Sequence, residues 1–170
     1  MKKYFPYFLI FVFVSVLLLV LFSKEESQKF NLVTVPNKFS VSIPDYLSKT
    51  DSIDSSALLQ YKNERDQLFL LIYEKEDSLS LENFFKKFSE NFISKLHNGT
   101  LINYYPEEIN GADVLVGNIR GSVGEAGVFY KVAAMQGKNS FYKIIIGAVE
   151  NRKSDYEEDM EKIIQSIKQE

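Results

Sequence analysis

Hydrophobic and polar positions change period several times along this chain, and each change predicts an element. From Tyr4 to Phe22 nineteen consecutive residues carry no charge. At roughly 1.5 Å per residue a helix of that length reaches about 28 Å, the hydrocarbon thickness of a bilayer. Phe30 to Val35 and Lys38 to Ile43 are short β-rich runs, separated by Pro36-Asn37 and closed by Pro44-Asp45. In Phe39-Ser40-Val41-Ser42-Ile43 every second residue is apolar, which predicts a strand with Phe39, Val41 and Ile43 on its core face and the other face exposed. Ala57 to Tyr61 and Gln67 to Tyr73 flank Asn63-Glu64-Arg65-Asp66, a polar connection of hairpin length. The second arm, Leu68 to Ile72, is apolar on both faces and predicts an interior strand covered on both sides.

The period then becomes helical. Ser80 is placed as an N-cap, Glu82 suits the first turn, and Leu79 can staple Phe84 across the helix start. Leu81, Phe84, Phe85, Phe88, Phe92, Ile93 and Leu96 share one face, while Lys86, Lys87, Glu90 and Lys95 share the other. Asn98-Gly99 supplies the stop, since both residues tolerate the left-handed conformation that ends helices. Four β-rich runs follow: Leu101 to Tyr105, Ala112 to Arg120, Gly127 to Met135 and Phe141 to Val149. They are divided by turn signals at Asn110-Gly111, Gly121 to Gly124 and Gly137-Lys138-Asn139, which predicts an antiparallel meander. The last segment opens with a capping box, Ser154-Asp155-Tyr156-Glu157, and places Tyr156, Met160, Ile163, Ile164 and Ile167 on one face of a terminal helix. Strands, helix, strands, helix with short links is an α+β order: a twisted, mainly antiparallel sheet flanked by two main helices and preceded by one transmembrane helix.

Domain organisation follows. Residues 1–22 form an N-terminal transmembrane anchor or uncleaved signal, residues 23–29 a polar tether, and residues 30–170 one α+β domain. The basic Lys2 and Lys3 precede the span, while Lys24, Glu25 and Glu26 follow it. This places the N-terminus in the cytoplasm and the domain outside, periplasmic in a diderm bacterium. A cleaved signal is the competing reading, but the apolar run exceeds the usual length and its exit lacks two small residues at A-x-A spacing. The 143 residues after position 27 are enough for one domain with a core and few for two.

Composition narrows the chemistry. The chain of 170 residues has no cysteine, which removes a disulfide framework, a Cys-based zinc site, a Cys nucleophile and a lipoprotein anchor. The net charge is -3 without a basic block in the body of the chain, so nucleic acid is not a partner class. His97, the single imidazole, falls at the predicted helix end, where a cation complements the dipole. It has no acid–base partner in the sequence, and no G-x-S-x-G, S-x-x-K or H-E-x-x-H pattern occurs. Gly117, Gly121, Gly124 and Gly127 lack the GK[ST] of a phosphate loop and read as hairpin or bulge glycines. Asp51, Asp54, Glu74, Glu76 and Asp77 could gather around a hard cation, yet the EF-hand glycine and closing Glu are missing, and solvated loop carboxylates are the simpler reading. Asn98-Gly99-Thr100 is a glycosylation sequon, relevant in a host that glycosylates exported proteins. Tyr104 and Tyr105 end a strand before Pro106; consecutive residues face opposite ways, so one tyrosine is expected to be exposed and available as a partner contact.

The opening Phe39-Ser40-Val41-Ser42-Ile43-Pro44 strand, a paired strand, a Phe-rich helix, a meander and a final helix resemble the PsbP/Mog1/DcrB-like superfamily over about residues 30 to 168, most closely its bacterial envelope members. The resemblance implies an α/β/α sandwich that binds or supports other proteins rather than catalysing a reaction, and it carries over no active-site motif, metal or cofactor. The expected function is therefore a non-catalytic, membrane-anchored extracytoplasmic accessory module for an unknown envelope or membrane protein, held to the lipid bilayer by its N-terminal helix. A small-ligand or lipid binder with a cavity between sheet and helix is the alternative, and a weak hydrolase the third.

Overall fold

A computed structural model describes residues 28–65 and 67–170, so the predicted span and most of its tether lie outside the described residues. Among the described residues no helix is long and apolar enough to cross a membrane.

Two sheets organise the chain. Strands β1 (Phe30–Val35) and β2 (Phe39–Pro44) form the hairpin that the Pro36-Asn37 turn predicts, with Asn37 at φ 61°. Strands β3 (Ser48–Lys49), β4 (Leu59–Asn63) and β5 (Leu68–Lys75) follow, then helix α1 (Leu81–Ile93). The meander is β6 (His97–Ile109), β7 (Ala112–Val123), β8 (Ala126–Gln136) and β9 (Phe141–Val149). A 3-10 turn (Glu150–Arg152), helix α2 (Lys153–Gln165) and β10 (Lys168–Gln169) complete it. Seven strands pair antiparallel in the order β3-β4-β5-β9-β8-β7-β6, and three more pair as β1-β2-β10.

The prediction of one sheet is thus corrected to two. The opening hairpin does not join the large sheet; β2 is sandwiched between β1 and β10, and its supposedly exposed face is covered, with Ser40 buried. Ser166, the C-cap of α2, holds this arrangement, because its Oγ accepts the Ser42 N–H at 2.8 Å and donates to the Ile163 carbonyl at 2.7 Å. The Lys38 ammonium reaches Glu74 on β5, which joins the hairpin turn to the large sheet.

The end of α1 and the start of α2 also depart from expectation. Ser80 caps α1 as predicted, its Oγ accepting the Asn83 N–H at 3.4 Å. The helix stops at Ile93, because Lys95 and Leu96 turn to i−3 carbonyls at 3.1 and 2.9 Å and tighten the last turn. Asn98 does take the left-handed conformation, at φ 52°, but within an irregular stretch at the start of β6. The capping box at Ser154 is not used: α2 begins at Lys153 directly from the 3-10 turn, which leaves Ser154 inside the helix.

The two faces of the large sheet are covered unequally. α2 and the small sheet pack on one face around Val41, Ile43, Leu70, Phe129, Ile146 and Ile163. On the other, among the described residues, lies α1, burying Phe84, Phe85 and Phe88 against Leu115, Ile119 and Val132. Phe84 stacks on Phe141 at 4.2 Å between centroids. β5 is interior as predicted, with Leu70 in one core and Leu71 in the other. Seven strands at about 4.8 Å spacing make a sheet roughly 29 Å wide, whereas one helix with its side chains is about 10–12 Å across. α1 packs mainly on β6, β7 and β8 and reaches β9 through Phe84 on Phe141, so among the described residues the β5–β9 part of this face is only partly covered by a helix.

Candidate functional site

That mismatch leaves a cleft of about 600 Å³ between the side of α1 and strands β5, β8 and β9. Phe69 and Leu71 of β5, Tyr130 of β8 and Ile145 of β9 form its floor; Phe88, Asn91 and Phe92 of α1 form a wall. Gly147 makes the floor possible. It is the register partner of both Phe69 and Tyr130, and an added Cβ would stand 2.5 Å from Tyr130 Cε1 and 2.7 Å from Phe69 Cζ. Without a side chain there, the two rings meet with centroids 6.0 Å apart. Phe92 adds an edge contact on Tyr130 at 4.8 Å.

Lys143 is the half-buried cation of this cleft, whose lining also includes Asp54, Ser56, Lys75, Asp77, Lys87 and Lys95. It stands on β9 between Phe141 and Ile145, facing α1, in a strand that is otherwise apolar. Its ammonium lies 4.8 Å from the Tyr73 ring centroid and 5.8 Å from that of Phe88, and no carboxylate forms an ion pair with it among the described residues. Burial holds its pKa below the ordinary 10.5, and the nearby Lys75 and Lys95 push the same way, against the opposing pull of Asp54. Asp54 is itself engaged: it accepts the Ser56 N–H and Oγ–H at 2.9 and 2.7 Å and the Tyr73 hydroxyl at 2.9 Å. These bonds, those from Ser56 first, lower the Asp54 pKa; burial, and then Asp54, raise that of Tyr73.

The other surface feature is β6, one edge of the large sheet. Ile102 is an unpaired residue between the register pairs Leu101–Ile119 and Asn103–Asn118. This bulge reverses the alternation, so that Leu101 and Tyr104, three apart, both lie on the α1 side. Tyr104 is 50% exposed and rests on Phe85 at 5.5 Å, above Gly117, whose missing side chain admits Phe85. Tyr105 points the opposite way and is partly buried against the core beneath α2. Ile102 is 49% exposed.

The remaining sequence candidates disperse. His97 is not on a helix but opens β6, exposed, where its carbonyl accepts the Ser122 hydroxyl at 3.2 Å; the dipole role assigned to it is corrected. The carboxylates do not converge: Glu74 goes to Lys38 and Ser140, Asp77 to Lys87, and among the described residues no three metal-ligating side chains gather. Gly111 and Gly124 are positive-φ turn residues. Sequence reasoning missed Lys143 and Lys131, single charges within the two long apolar runs of β9 and β8; that isolation is the signal that could have found them. Lys131, buried, pairs with Glu161 of α2.

No family model matches the chain, and no curated protein matches it in sequence. Solved structures do match its fold. The solution structure of cyanobacterial PsbP (CyanoP) from Synechocystis aligns at TM-score 0.65 and 10% identity over 87% of this chain and 96% of that one. The Ran-binding protein Mog1p of Saccharomyces cerevisiae aligns at 0.62 and 9% over 84% and 96%. LpqN of Mycobacterium tuberculosis, involved in cell envelope biogenesis, aligns at 0.58 and 9% over 85% and 92%. At such identities the likeness is one of fold.

Proposed function

From the fold of the PsbP/Mog1/DcrB-like superfamily, which this chain has, we propose that it acts as a non-catalytic interaction module for an envelope or membrane protein, tethered at the extracytoplasmic face by residues 4–22. The observation that carries this reading is the β6 edge: Ile102 and Tyr104 stand half exposed on a thirteen-residue edge strand. Tyr104 is the anchor, a rigid amphipathic ring supported from below by Phe85. Pro106 and the acidic Glu107 and Glu108 interrupt the far end of the edge, so pairing there with arbitrary strands is disfavoured and side-chain recognition at residues 102–105 is left. Tyr105 contributes by fixing the strand to the core. Binding of Ran by Mog1p and the envelope role of LpqN support an interaction role on this fold. The nineteen-residue uncharged run and its basic N-terminal flank support the anchor.

Photocrosslinking tests the reading. A benzophenone amino acid replaces Ile102 in the full-length protein in its native cells, and Lys168, on the small sheet, serves as control. One dominant membrane-protein adduct at 102 that is absent at 168 and lost on Tyr104→Ser supports it. Diffuse adducts at both positions, unaffected by Tyr104→Ser, refute it. Carbonate extraction of the intact chain and of one lacking residues 4–22 tests the anchor: only the shortened form should leave the membrane.

A further inference from the structure

The α1 cleft continues into a second groove of about 470 Å³, and Phe69, Val123 and Tyr130 line both. Beyond these shared residues the second groove is walled by Ile53, Leu68, Ala126, Val128, Ala148 and Val149, with Lys62, Asn63, Glu64 and Gln67 along it, of which Lys62 and Glu64 pair with each other. Net positive charge is therefore unevenly placed. Lys143 and the rim residues Lys75 and Lys95 stand at the first cleft, and an apolar track over the Phe69–Tyr130 floor leads away from them.

We propose that this track binds an amphipathic anion, an unbranched hydrocarbon chain with a carboxylate or phosphate head. The head sits at Lys143, and the chain runs across Phe69 and Tyr130 past Val123. Each part has its physical reason. Lys143 is a half-buried ammonium set against two ring faces, with Lys75, Lys95 and Asp54 as its charged neighbours and no carboxylate in contact. An anion at Nζ supplies the missing counter-charge, and in a partly desolvated site that interaction is stronger than on open surface. Asp54 and Asp77 also line the cleft; Asp54, hydrogen bonded by Ser56 and Tyr73, keeps its charge and attracts Lys143 at a distance, while Asp77 pairs with Lys87 at 3.3 Å, so neither forms an ion pair with Lys143. The first cleft alone falls within the 300–1,000 Å³ typical of ligand sites. A cationic head would stand among Lys143, Lys75 and Lys95, with Asp77 and Glu64 already paired to Lys87 and Lys62, and a neutral head would leave Lys143 without a contact anion.

The test uses the full-length protein in phosphatidylcholine nanodiscs, with thermal unfolding followed by circular dichroism. The probes are octanoate, octyl phosphate, octan-1-ol and octylammonium. Octanoate, octyl phosphate or both should raise the unfolding midpoint in a dose-dependent way, and the two anions tell a carboxylate from a phosphate head. The alcohol and the ammonium should not. Lys143→Met retains the aliphatic stem and should weaken anion binding at least tenfold; Lys143→Arg should retain it. Should Lys143→Met unfold on its own, Lys75→Ala/Lys95→Ala at the exposed rim should weaken binding by a smaller factor. Decanoate should bind more tightly than octanoate, by up to roughly fourfold per methylene that reaches the wall. Equal responses to anion, alcohol and ammonium, or an unchanged anion response in both Lys143→Met and the rim variant, would overturn the proposal. Tyr104→Ser should leave this binding intact and Lys143→Met should leave the crosslinked adduct intact, so the two readings fail separately.

Discussion

Phe69 and Tyr130 meet above Gly147, one ring from each neighbouring strand, because the residue between them has no side chain. Sheet and cleft are joined at this point. Gly147→Ala inserts a methyl 2.5 Å from Tyr130, and because Phe92 packs on the Tyr130 ring from the helix side, relief requires rotamer shifts. The expected loss is about 1–3 kcal/mol in denaturant unfolding, typical of overpacking, together with weakened anion binding as the floor is displaced.

Phe85 and Tyr104 also touch, yet their truncations should differ. Phe85 is 2% exposed and fills the space over Gly117, so Phe85→Ala should cost about 3–5 kcal/mol. Tyr104→Ala loses one ring contact and little burial, about 0.5–1.5 kcal/mol. Equal losses in denaturant titrations would mean that Tyr104 is a core residue rather than an anchor held out for a partner.

Lys143 makes stability depend on alkaline pH in a stated direction. Its pKa in the folded chain is lowered, so between that value and 10.5 the unfolded chain binds the additional proton and stability rises with pH. The cost of the buried charge is complete below the folded pKa and disappears towards 10.5. Lys143→Met should therefore be more stable than the parent near neutrality, and the difference should shrink as pH rises. Lys75, Lys95, Asp54 and Tyr73 also titrate or carry charge around this group, so the difference between parent and variant at each pH is the quantity to measure.

At acid pH Glu74 also makes stability rise with pH, but there because the fold favours its charged form. Its pKa is lowered, first by the hydrogen bond from Lys38 and further by that from Ser140, against the opposing effect of burial. Its contribution is present above the ordinary 4.5 and is lost as pH falls through the folded value. Glu74→Gln should flatten the acid limb of the stability profile in urea unfolding, and in a Lys38→Met background the same substitution should change it much less.

Much of the fold was legible because it is encoded locally. Asn110-Gly111 reads as a hairpin turn and both residues take positive φ; Ser80 reads as a cap and accepts the Asn83 amide; Leu68 to Ile72 reads as apolar on both sides and lies in both cores. The candidate surface was legible in part. Adjacent tyrosines must face opposite ways, and Tyr104 is the exposed one; which of the two that is depends on the bulge at Ile102, which no period announces. The end of α1 was misplaced because Leu96 keeps the helical period after the backbone has left the helix.

Short-range patterns of side-chain period, turn residues and charge thus specified the main elements, their order and the α+β class, since each depends on a few neighbouring residues, but not the two-residue strands β3 and β10 or the 3-10 turn. How the layers cover one another is a matter of widths and distant partners. A two-residue strand at the C-terminal end captures the opening hairpin into a separate sheet. One helix set against a sheet far wider than itself leaves β5 and β9 partly bare on that side, and there a lone lysine in an apolar strand becomes the head of a cleft.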